Sequence, residues 1–88
     1  MSTKELEQNV TDINVNVLRR LFIYNSNHFW DDVVLQLQKA TGYDVQHCEQ
    51  IAVIAHTTGK AVVKSGEFEE LKIINDVLKE INLITKII

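Results

Sequence analysis

The feature that most constrains the fold is a glycine that separates a helical pattern from a strand pattern. Before Gly59, the apolar residues of 45–55 recur at the three- and four-residue spacing of one helix face. After it, residues 61–64 form a short β-branched run of the kind found in strands. Glycine ends helices because it adopts the left-handed backbone conformation without a steric cost. The run from His56 to Val63 therefore predicts a helix that ends and leads directly into a strand.

Similar patterns along the rest of the chain predict the element order β-α-α-β-α-β. Residues 18–24 alternate as a first strand, residues 71–81 carry a third helical stripe, and residues 83–88 fit a closing strand. Asn27 is predicted to cap the first helix, which ends at Thr41-Gly42, and Asp44 to cap the second. Ser65-Gly66 is predicted to form a turn. The second helix is expected to bury Val45, Cys48, Ile51, Ala52 and Ala55.

Elements in this order are expected to form an α/β (α+β) two-layer sandwich. Three helices would pack on one face of a three-stranded antiparallel sheet. The chain has 88 residues, enough for one domain with one core. We expect a flexible amino-terminal arm at residues 1–17, where no helical stripe is present, and a core domain at residues 18–88.

Composition and charge narrow the class of function. A net charge of −3 without basic clusters gives no reason to expect a nucleic-acid partner. The single cysteine excludes an internal disulfide, and no apolar run approaches the roughly 20 residues that cross a membrane. We expect a cytoplasmic monomer that binds neither nucleic acid nor membrane.

The histidines and the cysteine do not indicate a metal site or a catalytic centre. His28, His47 and His56 lack the short spacing of a preformed metal site. His47 and Cys48 are neighbours on a predicted helix, where adjacent side chains point about 100° apart and do not face each other. The chain also lacks a glycine-rich phosphate loop and a G-x-S-x-G motif. We therefore expect no enzyme activity, no metal and no cofactor.

Two segments of the chain resemble the ClpS family. Asn25 follows the predicted first strand, and His56 stands in an H-x-x-G-K-A run that continues into the second strand. In that family, a strand-end Asn, two following acidic residues and a histidine of the second helix surround the ammonium of a bound amino terminus. The resemblance covers roughly residues 18–88 and implies the same element order. The C-terminal domain of the ribosomal stalk protein is arranged similarly, so fold alone does not choose the function.

The resemblance implies an adaptor that binds proteins by a bulky hydrophobic N-terminal residue and delivers them to a Clp ATPase–protease. Its expected partners are a Clp-family ATPase, which is an unfoldase, and substrate proteins that begin with Phe, Leu, Tyr or Trp. The residues implied for the substrate amino terminus are Asn25, Ser26, Asn27 and His56. Those implied for the hydrophobic pocket are Trp30, Val34, Ala52 and Ala55.

The sequence departs from the family at the loop that would hold the ammonium. Ser26 and Asn27 stand where the family has two acidic residues, so hydrogen-bond acceptors remain but their negative charge is lost. One missing charged acceptor corresponds to ~1.5–3 kcal/mol, or about ten- to a hundredfold in affinity. Asp31 and Asp32 are best explained as charges favoured at a helix start. This departure supports an alternative: a degenerate ClpS-like scaffold or regulatory module that docks a protein partner without reading amino termini.

The predicted pocket wall departs from the family as well. Ala52 and Ala55 stand where the family commonly has methionine and valine, so the cavity is expected to be larger. Trp30 either lines that cavity, fills it, or packs in the core over the first helix.

Overall fold

The computed structural model describes residues 17–88. The strands are β1 (Arg19–Tyr24), β2 (Lys60–Gly66) and β3 (Thr85–Ile87), and the helices are α1 (Trp30–Thr41), α2 (Val45–Thr58) and α3 (Phe68–Leu78), the last followed by a 3-10 turn, Lys79–Ile81. The order β-α-α-β-α-β confirms the sequence prediction. The arm predicted at residues 1–17 lies outside the described residues, apart from Val17.

Strand β1 lies at the centre of the sheet. Within residues 17–88 the sheet has three strands in the order β2-β1-β3, and both neighbours pair with β1 in the antiparallel sense. Tyr24 is opposite Lys60 on β2, and Ile23 is opposite Thr85 on β3. The antiparallel sheet and the α+β class therefore confirm the sequence prediction.

One core lies between the sheet and the helices. Leu21 and Ile23 of β1 are 0% and 1% exposed, and Phe22 between them is 8% exposed but lies outside the core cluster. Leu21 and Ile23 join a single apolar cluster to which the other elements contribute Val34, Leu37, Cys48, Ile51, Ala52, Ala55, Ala61, Val63, Leu71, Ile74, Leu78 and Leu83. The helical stripes predicted from the sequence are therefore the faces that pack on the sheet.

Three local predictions were wrong. Helix α1 begins at Trp30 and makes no side-chain cap, so Asn27 stays in the preceding loop. Residues 65 and 66 belong to β2 rather than to a turn, because the beginning of β1 offers them pairing partners. Val45 is 44% exposed, since it opens α2 before the helix reaches the core.

A polar clamp between α1 and the turn after α3 was not predicted. Gln36 is 8% exposed, and its Nε2 donates to the Val77 carbonyl at 2.6 Å. The same nitrogen donates to Glu80 at 3.2 Å, and Lys39 Nζ donates to the same carboxylate at 2.7 Å. Hydrogen bonds from Lys39 and Gln36 lower the pKa of Glu80. The polar clamp therefore joins the two helices by charge as well as by packing.

Candidate functional site

The pairing of β1 with β2 brings the loop after β1 to the end of α2. The Asn25 backbone N–H donates to the Gly59 carbonyl at 3.0 Å, one residue beyond the last sheet pair. Gly59 ends α2 in the left-handed conformation, with φ of 99°, and its own N–H donates to the Ala55 carbonyl. His56 lies in the last turn of that helix. Asn25 and His56, 31 positions apart in the sequence, therefore lie at one junction.

A cavity of about 360 Å³ lies at this junction. Seven of the eight predicted site residues line it: Asn25, Ser26, Asn27, Trp30, Ala52, Ala55 and His56. Ile23, Tyr24, His28 and Val33 complete the wall. The volume is within the range of about 300–1,000 Å³ that is usual for small-ligand pockets.

The eighth predicted residue, Val34, does not line the cavity. It is 7% exposed and packs in the core cluster, while its neighbour Val33 lines the cavity instead. Successive residues of a helix point about 100° apart, so an error of one position moves a side chain from the cavity to the core. Trp30 is 41% exposed and lines the cavity rather than joining the core cluster.

The floor of the cavity is apolar and consists of small side chains. Ala52 and Ala55 lie one turn apart on the buried face of α2 and are 4% and 5% exposed. The side chain of each is a single methyl group. Larger side chains at these two positions would fill the space between α2 and Trp30. The arrangement suits a large apolar side chain of a ligand.

The rim of the cavity carries amide, hydroxyl and imidazole groups that can form hydrogen bonds. Asn25, Ser26 and His56 line it, and among the described residues no carboxylate does. Asp31 and Asp32 lie in the first turn of α1 but are not part of the wall. A cation at the rim would nevertheless lie near the carboxyl end of α2, where the helix dipole is equivalent to about half a negative charge.

His28 lines the cavity and was not predicted as a site residue. Its Nδ1 lies 2.8 Å from Ser26 Oγ, and its Nε2 donates to the carbonyl of Ile81 in the turn after α3. Both side chains are half-buried. The sequence offered only one signal for this contact. Ser26 and His28 are two positions apart, a spacing that places both side chains on the same side of an extended loop.

Other groups with potential chemistry do not form a site. Across residues 17–88, His, Cys, Asp and Glu side chains nowhere gather in a group of three that could hold a metal ion. Cys48 is 0% exposed, and burial raises the pKa of its thiol. The thiol is therefore a structural part of the core. Over the same stretch of chain, no helix has the length and apolar character needed to cross a membrane.

Comparison with models of protein families identifies a match. A family model described as "ATP-dependent Clp protease adaptor protein ClpS" matches residues 20–82, which is more than half of the chain. No curated protein matches the chain. The matched segment runs from β1 to the turn after α3 and contains every residue that lines the cavity.

Proposed function

The chain belongs to the ClpS family of ATP-dependent Clp protease adaptors, and we propose that its cavity binds the N-terminal residue of substrate proteins for delivery to a Clp-family ATPase. The single observation that supports this most is one cavity that combines an apolar floor with a rim of hydrogen-bond acceptors. Membership in an adaptor family also agrees with the expectation that the chain is not an enzyme.

The floor of the cavity suits the side chain of the N-terminal residue. Trp30, Ala52 and Ala55 present apolar surface to a space of about 360 Å³. Burying a Phe or Leu side chain there contributes about 1.5–3 kcal/mol. Small residues on α2 leave room for rings, so we propose Phe, Leu, Tyr and Trp as the preferred N-terminal residues.

The rim suits the free ammonium group. An ammonium has N–H donors and no acceptor, so it requires oxygen or nitrogen lone pairs around it. Asn25 Oδ1, Ser26 Oγ and a ring nitrogen of His56 are the acceptors that we assign to it. In each of these hydrogen bonds only the ammonium is charged, so the bond is weaker than one to a carboxylate, in which both partners are charged. The carboxyl end of α2 adds a favourable potential for the positive charge.

Calorimetric titration with paired peptides tests this proposal. One peptide of each pair has a free N-terminal Phe, Leu, Tyr or Trp, and its twin carries an acetyl group on the same nitrogen. Acetylation removes the charge and most of the donors, so we expect binding only by the free peptide.

A matched pair of variants locates the binding site. His56→Ala removes an acceptor at the rim, whereas His47→Ala changes another exposed histidine of α2, which stacks on Tyr43 with ring centroids 4.1 Å apart. We expect only the first variant to weaken binding. A folded protein that binds neither peptide, or both equally, would contradict the proposal and favour the scaffold function.

Delivery requires a separate experiment. A reporter protein with N-terminal Phe is mixed with a Clp ATPase, its protease and the adaptor, and the loss of reporter is followed over time. We expect the wild-type chain to accelerate degradation and His56→Ala to do so less. Acceleration that is the same with a reporter beginning with Ser would contradict delivery through the cavity.

A further inference from the structure

Ser26 and His28 form a hydrogen-bonded pair at the rim of the cavity. The Ser26 Oγ lies 2.8 Å from His28 Nδ1, within ordinary hydrogen-bond distance. The other ring nitrogen, Nε2, contacts the Ile81 carbonyl, which is 53 positions away in the sequence. The turn after α3 therefore holds the imidazole, and the imidazole holds the serine.

When the imidazole is neutral, the contact with Ile81 determines which way the hydrogen bonds of this pair run. A backbone carbonyl has no hydrogen to donate, so Nε2 must carry the proton. In a neutral imidazole only one nitrogen is protonated, which leaves Nδ1 as an acceptor. The Ser26 hydroxyl must then donate to Nδ1, because two acceptors cannot form a hydrogen bond with each other.

We propose that His28 is a positioning residue that makes Ser26 an acceptor for the ammonium of the bound amino terminus. This inference rests on the proposed function. A free hydroxyl rotates and can turn its proton toward a ligand, where it would repel an ammonium. With its proton bonded to His28, Ser26 Oγ offers only lone pairs to the cavity, which both residues line. The serine then has the hydrogen-bond polarity of a carboxylate, although not its charge.

A double-mutant cycle tests whether His28 acts through Ser26. His28→Gln keeps an N–H near the position of Nε2 for the Ile81 carbonyl but has no nitrogen at the position of Nδ1. The four proteins are wild type, Ser26→Ala, His28→Gln and the double variant, each titrated at the same neutral pH with a peptide that begins with a free Phe. We expect His28→Gln to weaken binding about three- to tenfold in wild type and by less than about twofold when residue 26 is alanine.

Nitrogen-15 NMR of the histidine rings gives a second readout that does not depend on binding. We expect His28 to carry its proton on Nε2 in the free protein. A proton on Nδ1, or an equal loss of affinity from His28→Gln in both backgrounds, would overturn the positioning role while the amino-terminus reader stands. Failure of the folded wild type to bind any free peptide would overturn the proposed function and this inference with it.

Discussion

Replacing Ala52 by methionine tests whether the size of the cavity determines which N-terminal residues bind. Ala52 lies on the floor, where it lines the cavity and is 4% exposed. Methionine adds three heavy atoms, each of which takes about 30 Å³ if it needs the space of one water molecule. The substitution therefore fills about a quarter of the roughly 360 Å³ available.

The expected loss of affinity depends on how fully the ligand uses the cavity. A Trp or Phe side chain that can no longer bury two or three of its carbons loses about 2 kcal/mol, or roughly thirtyfold in affinity. A Leu side chain is smaller and still fits, so its affinity should change by less than about threefold. Ala52→Met should therefore shift the preference of a reader of Phe, Leu, Tyr and Trp termini toward Leu.

The assay is titration of the variant with peptides that begin with Trp, Phe and Leu. Val53→Met is the matched control, because Val53 is the next residue of α2 but is 46% exposed and does not line the cavity. Urea unfolding checks the fold, since overpacking costs about 1–3 kcal/mol of stability. Equal losses for all three peptides, or the same change in Val53→Met, would refute the assignment of Ala52 to the side-chain pocket.

Three further predictions concern the rim, the end of α2 and the polar clamp. Ser26→Asp restores a charged acceptor and should raise the affinity for a free Phe terminus about ten- to a hundredfold by calorimetry; no gain would contradict the placement of the ammonium. Gly59→Ala should cost about 1–2 kcal/mol in urea unfolding because φ is 99° there, although no atom lies within 4 Å of the added methyl group; an unchanged midpoint would contradict this backbone argument. Lys39 and Gln36 lower the pKa of Glu80 in the folded state. The Glu80 carboxylate therefore stabilises the fold fully above its ordinary pKa of about 4.5, and this stabilisation is lost as the pH falls through the lower pKa of the folded state. The stability difference between wild type and Glu80→Gln should therefore shrink below about pH 4.5, and a constant difference would contradict the polar clamp.

Local sequence patterns were sufficient for the order of elements. Gly59 ends a helix because its backbone conformation is one that other residues adopt only with strain, and this requirement is visible in the sequence alone. The alternation along residues 18–24 predicted strand β1, whose Leu21 and Ile23 are buried in the core. These features depend on chemistry within a few residues of the chain.

The details of the site depend on contacts between distant residues. The start of α1 was predicted two residues too early, because nothing in the local sequence shows that His28 is held in the loop by Ile81. Val34 was placed in the pocket wall and packs in the core instead, since the helical pattern does not fix the rotation of α1 to within one residue. The spacing of apolar residues in the sequence predicts which face of a helix is buried. Packing against the other elements determines which side chain of that face lines a cavity.

The most direct measurement of the central claim is a map of amide NMR shifts as a peptide with free N-terminal Phe is added. The account predicts that the changes concentrate at Asn25, Ser26, Ala52 and His56, around the cavity, and that the acetylated twin causes none of them. Changes centred on the exposed face of α2 at Val53 and Ile54, or changes that acetylation leaves unaltered, would contradict the claim that this cavity reads free amino termini.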